Sequence, residues 1–200
     1  FAGLPWPVAI WFNLALAVSV ISFVWALVLL WKGNRAKRLE PAPSPEYAEE
    51  FLWVVMVPAL NEQVTIRDSV DRLIGLSARN KAILVIDDGS DDSTPDILRG
   101  MGVEELEVLR RDLPNARLGK AAALNDAYHH LNDTILGPGG RFAGWPRDKV
   151  IVVIVDADGR LEPSSPAFVA SHFADPRIGG VQAEVRIYNR ALSADEINAA

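Results

Sequence analysis

The chain has 200 residues, a formal net charge of −6, half its residues hydrophobic, and no cysteine. That length allows about one to two folded units. Disulfides and thiolate metal sites are excluded, which suits a reducing compartment. An acidic balance with no basic block beyond Lys32 to Arg38 leaves no electrostatic footprint for nucleic acid.

Charge is absent from Phe1 to Trp31 and abundant afterwards. The apolar run from Val8 to Trp31 exceeds the ~20 residues a spanning helix needs. It is longer than a signal-peptide core of ~7–15 residues, and its basic residues follow it rather than precede it. Residues 1–31 are therefore predicted as a transmembrane helix. Trp6, Trp11, Trp25 and Trp31 include interface anchors near its two ends. Asn13, Ser19 and Ser22 are its only polar side chains, tolerated at a helix–helix contact. Lys32, Arg35, Lys37 and Arg38 crowd one end, which by the positive-inside rule places the following domain in the cytoplasm, at the cell membrane. Residues 32–49 read as a basic, proline-rich juxtamembrane linker. Within it, alternate prolines from Glu40 to Glu46 favour an extended, semi-rigid spacer.

Residues 50–200 read as a soluble α/β domain large enough to hold its own core. Phe51 to Val57 is an unbroken apolar run ending at Pro58, the pattern of a buried parallel strand. Ile66, Val70, Leu73 and Ile74 recur at helical spacing. Ala82 to Ile86 predicts a second strand, and a polar turn from Asp87 to Ser93 leads to a short helix from about Pro95. Leu106 to Leu109 predicts a third strand, and Leu124, Tyr128 and Leu131 the next helix. Pro138 to Pro146 is a loop by composition. Val150 to Val155 predicts a fourth strand, Pro166 to Phe173 a helix, and Gly180 to Tyr188 a fifth strand. Such alternation implies a mostly parallel sheet flanked by helices.

Open α/β sheets bind ligands at the carboxyl ends of their strands. Polar groups fall at those ends: Asn61-Glu62 after the first strand, Asp87-Asp88 after the second, Asp156-Ala157-Asp158 after the fourth. Two carboxylates at i and i+2 suit a hard divalent cation that keeps positions open for phosphate oxygens. Asp87 and Asp88 are placed to accept hydrogen bonds from a nucleobase or ribose. EF-hand spacing is absent. Ser93 and Thr94, before Pro95, read as a helix cap. Gly119-Lys120 opens a helix whose amides, with the Lys ammonium, make an anion site. His129 and His130 sit late in that helix with no partner at metal spacing and read as surface or helix-end residues.

In this order the motifs resemble a family 2 glycosyltransferase with the GT-A fold, a Rossmann-like, mostly parallel sheet. The residues that carry the resemblance are Val57 to Glu62, Val85 to Thr94, Gly119 to Asn125, Val155 to Gly159, and Val181-Gln182. The resemblance implies an inverting transfer from a nucleoside diphosphate sugar to a glycan or lipid-linked acceptor at the membrane. It implies that Pro58, Asn61 and Glu62, with Asp87 or Asp88, hold base and ribose, and that Lys120 approaches the diphosphate. Asp156 and Asp158 would bind Mg²⁺ or Mn²⁺ and the donor phosphates, with Asp158 the more direct metal ligand. Gln182 would line the sugar or acceptor side. The family's general-base carboxylate and a Gln-x-x-Arg-Trp block are not among these residues, and Asp195 and Glu196 read as helix-starting acids. The chain, which begins with Phe, thus reads as an excerpt holding the donor half of a longer enzyme.

Three other readings compete. Val152 to Leu161 resembles the opening motif of a haloacid-dehalogenase-like phosphatase, with Asp156 as nucleophile, but that motif normally opens its domain and here three strands precede it. A non-catalytic nucleotide-binding module could keep the same fold. A nucleotidyltransferase would need a glycine-rich loop after the first strand, which is not present.

Overall fold

The computed structural model describes residues 5–38 and 41–182. The chain divides into two compact units, Phe1–Ala42 and Pro43–Ala200. The first is built on helix α1, Trp6–Arg38. Its 30 residues from Trp6 to Arg35 measure about 45 Å at 1.5 Å per residue, more than the ~30 Å hydrocarbon core of a bilayer. Its apolar side chains are exposed on all sides, as expected of a helix whose solvent is lipid. The Asn13 side chain donates to its own helix, to Ala9 O at 2.7 Å, which uses one of its two amide N–H donors. The helix continues past the predicted end of the span, and the Arg35 guanidinium lies 5.7 Å from the Trp31 ring centre.

The second unit opens with α2, Pro45–Ala48, where the sequence predicts an extended spacer. Ser44 caps this turn, its Oγ accepting from Tyr47 N at 3.2 Å. Pro45 falls at the first helical position, where its fixed φ helps and its missing N–H costs nothing. So the last proline of the series starts a helix instead of prolonging the spacer.

Four strands follow, all parallel, in the order β3-β2-β1-β4. They are β1 Leu52–Ala59, β2 Lys81–Asp87, β3 Leu106–Arg110 and β4 Val150–Ile154. Between them lie α3 Ile66–Ile74, α4 Thr94–Met101 and α5 Lys120–His130. A π-helical turn, Leu131–Ile135, extends α5, and α6 Ser165–His172 follows β4. Side chains alternate across the sheet. Val55, Val57, Ile83 and Val85 pack against Ile66, Val70 and Leu73 of α3 and Leu98 of α4. Leu52, Val54, Met56, Leu84 and Ile86 pack on the opposite face against Ala123, Ala127 and Leu131. Each fully buried Val, Leu or Ile is worth about 1.5–3 kcal/mol, so β1 and β2, apolar on both faces, dominate the core. Near the start of β1, Phe51, Trp53, Ile151 and Ala170 join Ala48 of α2, and Trp53 Nε1 donates to Ala48 O at 2.9 Å.

β1 does not stop at Pro58, as the sequence suggested, but runs to Ala59. The reason is directional. Met56 O accepts from Val155 N on the β4 side, at 3.0 Å, and Ala59 O accepts from Asp88 N on the β2 side, at 2.9 Å. Pro58, two residues after Met56, faces the β4 side beyond the last β1–β4 pair, Met56↔Ile154. Its missing donor therefore leaves no ladder bond unmade. Of the predicted fifth strand, residues 180–182 are irregular, and residues 183–188 lie outside the described residues.

Candidate active site

From β1 the chain steps outward to β2 and then β3; β4 returns to the other side of β1. That reversal opens a crevice at the carboxyl ends of β1 and β4, the usual ligand position in such sheets. Register sets the rim. Ala59 is level with Asp87, and Asp87 with Arg110.

The loops after β1 and β2 are laced together. Asn61, at φ 59°, donates its N–H to Ser90 Oγ at 2.9 Å and accepts from Asp91 N at its side-chain oxygen, also at 2.9 Å. Glu62 N donates to Thr94 Oγ1 at 2.8 Å, and Gln63 N to Asp92 Oδ2 at 3.1 Å. The Glu62 carboxylate accepts from Thr65 Oγ1 at 2.7 Å. The cap before α4 differs from expectation. Ser93 occupies the cap position but its side chain makes no capping bond; Asp92 Oδ1 accepts from Thr94 N instead, at 2.9 Å. Thr94 is thereby released to hold Glu62.

Asp87 is 1% exposed, and both of its oxygens carry protein donors. Oδ1 accepts from Ser90 N at 2.9 Å, and Oδ2 from Arg110 Nη1 at 2.5 Å. The hydrogen bond to Asp87 raises the Arg110 pKa above its ordinary value. Asp88, also buried, accepts at Oδ1 from Arg111 Nη1 and from Arg117 N at 3.0 Å. Arg111 continues to Asp126 Oδ2 at 2.8 Å and Asn115 O at 2.6 Å. Arg117, at φ 63°, folds its guanidinium onto Gly89 O at 2.7 Å and Asp91 Oδ2 at 2.9 Å. Its guanidinium, with the Asn61 amide, holds the Asp91 carboxyl below its ordinary value. Gly89 sits at φ 84°, and a Cβ there would lie 2.9 Å from Ala116 Cβ, so only glycine lets the two loops close. Sequence reasoning missed these three arginines. Arg110 ends β3, Arg111 follows it and Arg117 precedes Gly119 by two residues, but nothing in that spacing tells which carboxylates they meet.

On the β4 side, Asp156 and Asp158 are exposed and flank buried Ala157. The turn closes through Gly159 N, which donates to Asp156 O at 2.7 Å. Lys120, the first residue of α5, donates from Nζ to Asp156 Oδ1. Two predicted groups far apart in sequence thus meet at the crevice mouth. Gln182 is exposed and is joined to none of them. Among the described residues, no group of three or more His, Cys, Asp or Glu side chains is placed to hold a metal ion. The chemistry of the Asp156–Asp158 pair still fits a divalent cation: two exposed hard oxygen donors, one already drawn to a positive charge, with room for ligands from elsewhere. His130 ends α5, as the helix-end reading expected, and pairs there through Nε2 with Glu107 Oε1 at 2.5 Å.

The parallel sheet, its flanking helices and its polar rim define an α/β domain of the GT-A type. The chain belongs to glycosyl transferase family 2, whose family model matches residues 54–196. It is 28% identical over 137 residues to the poly-beta-1,6-N-acetyl-D-glucosamine synthase of Staphylococcus aureus, covering 68% of this chain and 29% of that protein. It is 24% identical over 190 residues to the probable glycosyltransferase YdaM of Bacillus subtilis, covering 90% of this chain and 41% of that one. Among solved structures it resembles the mannosyltransferase PcManGT from Pyrobaculum calidifontis in complex with GDP-Man and Mn²⁺. The TM-score is 0.60 at 27% identity, covering 84% of this chain and 45% of that one. The chain thus spans less than half the length of each of these proteins. The family match removes the phosphatase reading of Asp156.

Proposed function

We propose that this chain is the donor-binding part of an inverting glycosyltransferase. The enzyme would move a sugar from a nucleoside diphosphate sugar to a glycan or lipid-linked acceptor at the cytoplasmic face of a membrane. The observation that carries the reading is the meeting of Lys120 with Asp156 at the mouth of the β1–β4 crevice. A cationic side chain at a helix start and a carboxylate pair on a strand tip are what a diphosphate with its counter-cation requires. Similarity to a mannosyltransferase solved with GDP-Man and Mn²⁺ supports it.

The family resemblance supports the following roles. Pro58, near the end of β1, and Asn61 and Glu62, in the loop after it, face the base and ribose with Asp88. Asp87 acts beneath them, fixing Ser90 and Arg110 so that the laced loops keep their shape. Lys120 turns from Asp156 to the diphosphate when donor enters. Asp156 and Asp158 hold Mg²⁺ or Mn²⁺, Asp158 more directly because Lys120 does not engage it. That cation, when bound, supplies positive charge to the departing diphosphate. Gln182 lies toward the sugar or acceptor. The exposed apolar α1 anchors the domain in lipid, with its basic end in the cytoplasm.

The test uses the full-length protein in detergent with Mn²⁺ and a panel of uridine and guanosine diphosphate sugars. Release of nucleoside diphosphate, lost in Asp158→Ala, is the expected result. Tight donor binding with no release would make this a binding module. A beryllofluoride adduct on Asp156 would mark a nucleophile and end the sugar-transfer reading.

A further inference from the structure

The two carboxylates on the β4 tip are exposed, yet the residue between them is not. Ala157 is 4% exposed, and its carbonyl oxygen accepts a hydrogen bond from the hydroxyl of Ser69. Ser69 is on α3, 88 positions away in sequence, on the buried side of that helix with Ile66, Val70 and Leu73. It is 6% exposed, so little water competes for its hydroxyl.

Among the described residues, this is the one hydrogen bond tying the backbone of Asp156–Gly159 to another element. The bond from Gly159 N to Asp156 O closes the turn on itself, and Lys120 grips only the Asp156 side chain. The turn is tightly wound: a Cβ on Gly159 would lie 2.7 Å from Val155 Cγ1 and 2.9 Å from Asp156 O. Asp156 and Asp158 are joined through the two peptide planes of Ala157. Fixing the Ala157 carbonyl inward therefore sets the direction in which both neighbours leave the turn. A polar residue on the apolar side of α3 costs stability unless its hydroxyl is used, and here it is used on this turn.

We propose that Ser69 is a positioning residue for the Asp156–Asp158 pair. Its hydroxyl anchors Ala157 so that the two carboxylates face outward together, arranged for one divalent cation. The proposal rests on the metal-binding reading above and adds a residue to it. Groups that orient metal ligands without touching the metal typically change affinity by about 10–100-fold when removed. The Ser69 anchor acts through backbone, so the lower end of that range applies.

The experiment measures free Mn²⁺ by electron paramagnetic resonance with the full-length protein in detergent and saturating UDP or GDP. Ser69→Ala is expected to raise the Mn²⁺ dissociation constant about tenfold. Leu98→Ala, a core truncation on α4, is the control. It should lower Tm at least as much as Ser69→Ala and leave the Mn²⁺ constant unchanged. Amide exchange at residues 157–159 in metal-free protein should be faster in Ser69→Ala than in the wild type. An unchanged Mn²⁺ constant in Ser69→Ala, equal weakening in Leu98→Ala, or unaltered amide exchange overturns the positioning role while the metal reading stands. A wild-type protein that holds no Mn²⁺ overturns the metal reading, and the role of Ser69 with it.

Discussion

Lys120 Nζ donates to Asp156 Oδ1 across the crevice between the start of α5 and the tip of β4. With no donor present, the ammonium neutralises one of the two carboxylates proposed for the metal. A diphosphate competes for that ammonium, so donor and cation help each other to bind, and by linkage the help is mutual. Both side chains are at least half exposed, and exposed pairs are worth about 0.2–1 kcal/mol. Lys120→Met should therefore tighten Mn²⁺ alone by no more than about fivefold. It should weaken nucleoside diphosphate and shrink the coupling between the two. Calorimetry of each ligand with and without the other measures all three quantities. Unchanged coupling would remove Lys120 from the diphosphate site.

The arginine ties predict stability effects that sequence reading would not. Arg111 is buried between Asp88 and Asp126. Removing one partner of a buried pair costs about 3–5 kcal/mol, because a charge is left without its counter-ion. Arg111→Met should lower the free energy of unfolding by that amount, read from urea titration. Asp126→Asn should cost far less, since its carboxylate is 45% exposed.

Thr94 is fully buried and accepts from Glu62 N. Thr94→Val keeps the shape and removes the acceptor, leaving a backbone N–H unpaired at about 1–3 kcal/mol. For a chain of this size each kcal/mol moves Tm by about 2–4 °C. Nucleotide affinity should fall as well, because Asn61 and Glu62 lose their tie to the second loop. A variant with lower Tm and unchanged nucleotide affinity would place those two residues outside the donor site.

The basic end of α1 predicts sidedness. A fluorescent protein fused after Arg38 should fluoresce and an alkaline phosphatase fused there should stay inactive, because both then sit in the cytoplasm. Active phosphatase at this position would reverse the orientation.

Most of the scaffold was legible because its signals are local. β1, β2 and β4 are apolar runs on a polar background, and Ile66, Val70 and Leu73 keep helical period. Parallel topology then put Asp87, Asp88, Asp156 and Asp158 on one rim without any knowledge of side-chain contacts. What stayed hidden depends on direction and distance. Pro45 reads as spacer until Ser44 is seen capping it, and Pro58 reads as a stop until the side it faces is known. Asp87 reads as an open acceptor because nothing local reveals that Arg110, 23 positions on, closes over it. The Ser69 hydroxyl looks like a stray polar residue on an apolar helix face.

Pro58 also has a consequence for how the crevice stays open. Two parallel strands that share a ladder tend to go on zipping as long as donors and acceptors meet. β1 and β4 stop at Met56↔Ile154, and the next residue of β1 that faces β4 has no N–H to offer. Proline therefore removes one of the two bonds that the next rung would need. A Pro58→Val chain would regain that donor, and β4 could climb one rung further along β1. The turn bearing Asp156 and Asp158 would then be drawn toward the sheet, and the mouth of the crevice would narrow from its floor.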